Sequence, residues 1–180
     1  MIFPNRFVVL SLFVLLFPDP ALGQERFEYE RPKMGMPVRI VLYADNAETA
    51  RAAVEAAFRR FDAINESMSD YDTESEIVRL AKSAEKDGEP VWRPVSDDLF
   101  AVLTEAATYS KLSGGAFDVT VAPLSKLWRR ARRLRAFPEK HLLEQARAKV
   151  GYEAIELDAG RKAVRLTRPG MRLDLGGIAK

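Results

Sequence analysis

The chain contains no cysteine, so neither disulfide bonds nor thiolate metal sites are open to it. Its one histidine, His141, sits in an amphipathic stretch near Pro138, where a surface role is the expectation. No Ser/His/Asp or Cys/His catalytic set can be built from that histidine. A formal net charge of +2 gives no global pull toward nucleic acid or an acidic surface. Internal repeats and low-complexity tracts are absent. The apolar run from Phe7 to Phe17 is too short to span a bilayer comfortably.

What is present suits one folded domain. A chain of 180 residues with 47% hydrophobic and 30% charged side chains can bury a real core. The first residues differ in kind. Arg6, the apolar run, Pro18 and the small residues around Ala21-Leu22-Gly23 have the pattern of a secretory signal peptide over residues 1–23. The expectation is an exported chain, periplasmic or secreted, soluble once cleaved near Gln24. An uncleaved anchor helix is the competing reading. No cysteine stands near the cleavage point, which excludes a lipid anchor.

Periodicity then assigns the elements. Residues 24–33 read as a linker or a first edge strand, and Pro37 to Tyr43 alternates as a strand, with Val38, Ile40 and Leu42 on one side. Asn46 caps a helix to about Ser67, with Ala50, Val54, Ala57, Phe61 and Ile64 as its apolar stripe. Ser75 starts a short helix to about Ala81, a charged loop follows from Lys82 to Pro90, and Val91 to Pro94 is extended. Ser96 caps another helix, buried through Leu99, Leu103 and Ala106 and ended by Gly114. Phe117 to Val121 reads as a strand broken by Pro123, and Pro138 opens a helix that stops at Gly151. Residues 154–158 and 163–167 form a hairpin, and Arg172 to Leu175 is a last strand. Helices mixed with hairpins indicate an α+β fold with a mixed or antiparallel sheet.

Two segments stand out. In Gly114-Gly115-Ala116-Phe117-Asp118-Val119-Thr120-Val121, paired glycines allow close backbone approach, and an acid inside an apolar run needs a partner. The plainer reading is a helix cap at Gly114 followed by a turn aspartate. In Asp174-Leu175-Gly176-Gly177-Ile178-Ala179-Lys180, a Gly-Gly turn opens a helix, a geometry that favours a phosphate. Arg129, Arg130, Arg132, Arg133 and Arg135 concentrate positive charge. A solvated face is the first reading of that run, and steering of an anionic dinucleotide or an acidic protein is the second.

Taken in order, Met34-Gly35, Met68-Ser69-Asp70-Tyr71, Ser75-Glu76-Ile77, the Gly115–Val121 segment with Pro123-Leu124 and Trp128, Val150-Gly151-Tyr152 and Asp174–Lys180 resemble the N-terminal half of the ApbE family of FAD:protein FMN transferases. The resemblance runs from about Met34 to Lys180. It implies a fold related to the T-fold, with residues 24–180 as the N-terminal part of a flavin transferase domain truncated at its C-terminal end. It implies that Met34 lies in the FAD pocket and that the Tyr71 ring packs on the flavin nucleotide. Ala116, Phe117 and Asp118 would lie against FAD, with Asp118 accepting hydrogen bonds from it. Asp174 would be the second FAD-contacting acid, and Lys180 would lie near FAD. Gly177 would offer a backbone carbonyl to Mg2+, the other ligands (an Asp and a Thr) being expected beyond Lys180.

The implied activity is Mg-dependent transfer of FMN from FAD to a threonine hydroxyl of an acceptor, an exported redox or electron-transport protein. A flavin-binding module without turnover, hydrolysis of the FAD pyrophosphate and a membrane-anchored structural protein are the alternatives. The residues themselves also allow plainer roles. Met34-Gly35 can be simple strand entry, Tyr71 a loop aromatic, Asp174 a turn residue and Lys180 a solvated lysine.

Overall fold

A computed structural model describes residues 23–84 and 89–179. Residues 1–22, which hold nearly all of the signal segment, part of the charged loop after Lys82, and Lys180 lie outside the described residues.

The chain begins with a hairpin. Strand β1 (Glu25–Lys33) pairs antiparallel with β2 (Met36–Ala44), from Glu25 opposite Ala44 to Lys33 opposite Met36. Residues 24–33 are therefore strand, and Met34-Gly35 joins two strands where the sequence suggested entry to a first one. Both have positive φ, 50° and 74°. A two-residue connection with that backbone twists in the same sense as its strands, which is why glycine is favoured in it. Methionine at the first position holds a conformation that L-residues rarely adopt.

Helix α1 (Ala47–Met68) packs on this hairpin. Asn46 caps it, its side chain accepting from the Thr49 N–H at 2.9 Å. Ala50, Val54, Phe58 and Met68 are its buried residues. Phe58 replaces the expected Ala57 and Phe61 at the centre of the stripe, a shift of the inward face by about one position. Helix α2 (Glu76–Lys82) is capped by Ser75, whose hydroxyl also donates to the Ser69 carbonyl at 2.6 Å. That bond draws the connection between the two helices tight.

The second sheet has the order β3-β5-β4, all antiparallel, built from β3 (Arg93–Pro94), β4 (Ile155–Asp158) and β5 (Ala163–Leu166). Helix α3 (Asp97–Leu112) begins at the Ser96 cap and buries Leu99, Leu103 and Ala106 as its periodicity predicts. The core gathers Leu99, Leu103, Val164, Met171, Leu173 and Leu175 with Ile77 and Leu80 of α2. At its end the Gly115 N–H bonds the Ser110 carbonyl (2.8 Å) and the Gly114 N–H bonds that of Lys111 (3.1 Å). Gly114, at φ 60°, is the left-handed residue this termination needs.

Two strands expected from the sequence are absent here. Residues 119–121 form a short 3-10 turn that leads straight into α4 (Ala122–Leu134), with Pro123 in its first turn. Proline there removes an N–H that has no helical partner, so it starts this helix where it was expected to break a strand. Residues 171–175 run without ladder pairing, and their Asp174 N–H donates to the Val119 carbonyl at 2.7 Å. Helix α5 (Lys140–Arg147) follows Pro138 as anticipated. The fold is α+β, with two small antiparallel sheets and five α-helices among the described residues.

Candidate functional site

The connection from α1 to α2, the turn between β1 and β2, one side of α4 and the segment after Leu173 meet around a cleft of about 730 Å³. Met34, Asp70, Tyr71, Arg129, Asp174 and Gly176 line it. Local chemistry fixes each wall. The Ser69 hydroxyl accepts from the Tyr71 and Asp72 N–H groups at 3.3 and 3.4 Å, shaping the loop that carries Asp70 and Tyr71. On the opposite wall, buried Leu173 and Leu175 flank Asp174 and anchor it. The Gly176 N–H donates to Asp174 Oδ1 at 3.1 Å, and the Leu175 carbonyl accepts from Ile178 and Ala179.

Arg129 joins the two walls. Its Nη1 donates to Asp70 Oδ2 at 2.5 Å and its Nη2 to Asp174 Oδ2 at 2.8 Å. Its guanidinium lies over the Tyr71 ring, 4.6 Å from the centroid. The side chains of Asp70 and Asp174 are 10% and 15% exposed, against 35% for the arginine. Burial pulls the Arg129 pKa down, but the Asp70 hydrogen bond and the charges of Asp70 and Asp174 outweigh it and hold the pKa above its ordinary value. Nothing in the sequence separates Arg129 from its arginine neighbours. Its partners are 59 and 45 positions away, and only the fold brings them together. Arg130, Arg132, Arg133 and Arg135 are exposed, as a solvated face requires.

The residues singled out from the sequence do not all meet in one place. Met34, Tyr71 and Asp174 share this cleft, with Tyr71 78% exposed. Phe117 and Gly177 line a second, apolar hollow of about 580 Å³ with Tyr109, Leu112 and Ile178. Phe117 meets Tyr109 edge to face at 6.4 Å, and a Cβ on Gly177 would stand 3.5 Å from the Phe117 ring. Ala116 is exposed and lines neither. Lys180 lies outside the described residues.

Asp118 is held within the fold. Its Oδ1 accepts from the Thr120 N–H (2.8 Å) and hydroxyl (2.6 Å), and its Oδ2 accepts from the Tyr152 N–H (3.0 Å). The buried Thr120 oxygen in turn accepts from the Gly151 N–H at 2.8 Å. This small network ties the start of α4 to the segment entering β4. It supplies the partner that an acid in an apolar run demands.

Cation ligands are sparse. No group of three or more His, Cys, Asp or Glu side chains suited to a metal ion exists among the described residues. Gly177 contributes one exposed carbonyl-bearing position, and the oxygens of Asp174 already accept from Arg129 and Gly176.

Comparison with known proteins bears on the family and the fold. A family model described as the ApbE family matches residues 34–180. A Chlamydia trachomatis protein named FAD:protein FMN transferase is 28% identical over 179 residues, covering 99% of this chain and 54% of the relative. A protein of the same name from Haemophilus influenzae is 33% identical over 121 residues, 65% of this chain and 34% of the relative. The crystal structure of the ApbE protein of Thermotoga maritima superposes with a TM-score of 0.72 at 25% identity, covering 86% of this chain and 48% of that one. The flavin transferase ApbE of Vibrio cholerae gives 0.71 at 26% identity, over 87% and 50%. The chain thus spans about half the length of the Chlamydia relative and of both solved structures. On sequence and fold together, it belongs to the ApbE family.

Proposed function

We propose that the cleft between Tyr71 and Asp174 binds FAD, and that the protein transfers the FMN half of FAD to a hydroxyl of an acceptor protein. The observation that carries this reading is the convergence of Met34, Tyr71 and Asp174 on one cleft of about 730 Å³. Small-molecule sites of about 300–1000 Å³ are the usual range. The exposed Tyr71 ring offers a flat surface on which a flavin or adenine ring gains burial and stacking. Asp174, held by Arg129, keeps further lone pairs on its carboxylate to accept from N–H or O–H groups of the nucleotide. Met34 and Ile64 add apolar wall.

In the transfer, the acceptor hydroxyl oxygen forms a bond to the FMN phosphorus and the bond between the two phosphates breaks. AMP departs with the bridging oxygen, and the hydroxyl proton leaves to solvent or a base. The family resemblance extends this proposal to a threonine acceptor and to Mg2+. One Gly177 carbonyl is fewer ligands than a hard cation takes, so the described residues do not by themselves hold the ion. The resemblance of residues 1–23 to a signal peptide extends the proposal to an exported chain acting on exported redox or electron-transport proteins. No helix among the described residues is long and apolar enough to cross a membrane.

The test is incubation of the full chain with FAD, Mg2+ and a threonine-bearing acceptor, read by intact mass. Gain of the FMN mass by the acceptor is the predicted result. FAD bound but never consumed would reduce the protein to a flavin-binding module. FAD consumed with an unmodified acceptor would assign the cleft to hydrolysis.

A further inference from the structure

We infer that Arg129 is the positioning residue of this cleft, a strap that sets the Asp174 carboxylate and the Tyr71 ring in the arrangement that receives the dinucleotide. The inference rests on the FAD reading above and names the residue on which affinity depends. Three segments remote in sequence meet at this one side chain: the connection after α1, helix α4, and the turn after Leu173. The two guanidinium nitrogens serve two different carboxylates, one on each wall, where a bidentate pair would spend both on one. The planar group also covers one face of Tyr71, which directs the ring's other face outward. A cation at that distance on a tyrosine face adds attraction to the two hydrogen bonds.

Charge makes the strap more than a tie. Asp70, Asp72 and Asp174 line the cleft, and Arg129 is the one basic residue among its described lining residues. Without it, two carboxylates that are mostly shielded from water would face each other and the phosphates of an entering dinucleotide. Like charges in partly dried surroundings are poorly screened, so the segments would move apart. Lysine is not a substitute. Its ammonium is a point charge with no fork to reach both acids and no plane to lay on the ring.

The experiment compares the full wild-type chain with Arg129→Gln and Arg129→Lys. FAD titration is followed by flavin fluorescence, and amide hydrogen exchange is measured without FAD. We expect Arg129→Gln to lose about tenfold or more in FAD affinity, with Arg129→Lys recovering only part of it. In both variants, exchange should quicken over residues 69–75 and 172–179 together, while the hairpin of residues 155–166 is unchanged. Unaltered exchange in both cleft segments would overturn the strap. Faster exchange throughout, hairpin included, would make Arg129 a general structural residue and overturn it too. Wild-type FAD binding matched by Arg129→Gln would sink this inference alone, whereas a wild-type chain that binds no FAD would sink the reading of the cleft and the inference with it.

Discussion

Asp118 and Asp174 are the same residue type in two segments that the sequence marks equally, yet the fold uses them differently. Asp118 accepts from the Thr120 N–H and hydroxyl and the Tyr152 N–H, donors fixed by its own turn and by the backbone entering β4. Asp174 spends one oxygen on the Gly176 N–H and the other on an arginine side chain that also lines a cleft. Fixed backbone donors cannot leave without unmaking the turn. A guanidinium on rotatable bonds can share its partner with a ligand. A carboxylate's place in a motif therefore says less about its task than the kind of donor that holds it.

The comparison can be broken by substitution. The largest effect belongs to the structural side. Asp118→Ala removes acceptors for three donors, two of them backbone N–H groups, and is expected to lower stability by about 3 kcal/mol. Chemical denaturation checks it. A loss under about 0.5 kcal/mol with weakened FAD binding would reverse the roles assigned here, making Asp118 the ligand-facing acid.

Asp174→Asn should show the opposite balance. The carboxamide keeps an acceptor for Gly176 or for Arg129 but loses the charge, so we expect about a tenfold loss in FAD affinity with about 1 kcal/mol in stability. Calorimetric titration beside a thermal melt separates the two quantities. A destabilisation as large as that of Asp118→Ala would erase the distinction.

Asp158 lies in neither region and gives the smallest effect. The backbone N–H of Arg161, then its side-chain hydrogen bond and charge, hold the Asp158 carboxyl below its ordinary value. Because the folded pKa is depressed, its contribution is present above the ordinary carboxylate value and disappears as pH falls through the folded one. The carboxylate is partly exposed and its Arg161 partner is exposed, so solvent screening keeps the contribution small. The melting temperatures of wild type and Asp158→Asn should differ slightly at neutral pH and converge in acid. The pKa of Arg129 is raised, so its charge persists across the same range, and FAD affinity should show no step from its deprotonation.

Local chemistry was legible in the sequence, and long-range contact was not. The caps at Asn46, Ser75 and Ser96 and the glycine stop at Gly114 act within a few residues, and each stands where the sequence put it. Alternation gave the β2 face, and turn residues gave the hairpin of β4 and β5. Pro123 reads as ending a strand, although proline equally suits the first turn of a helix. What decided it was the helical run through Leu134 that follows. The strand expected at residues 172–175 finds no ladder partner among the described residues. Met34, Tyr71 and Asp174 were named through family resemblance, and the fold gathers them. Arg129 was hidden among four exposed arginines, since its inward turn depends on acids far along the chain.

The most direct test of the cleft is a titration of FAD with the full chain, reading quenching of flavin fluorescence in wild type and in Tyr71→Ala. Tyr71 is 78% exposed, so its removal should leave stability within about 0.5 kcal/mol while taking away the stacking surface. The account predicts saturable quenching in wild type and a marked loss of it in the variant. Equal quenching at equal affinity in both proteins, or none in either, would contradict it.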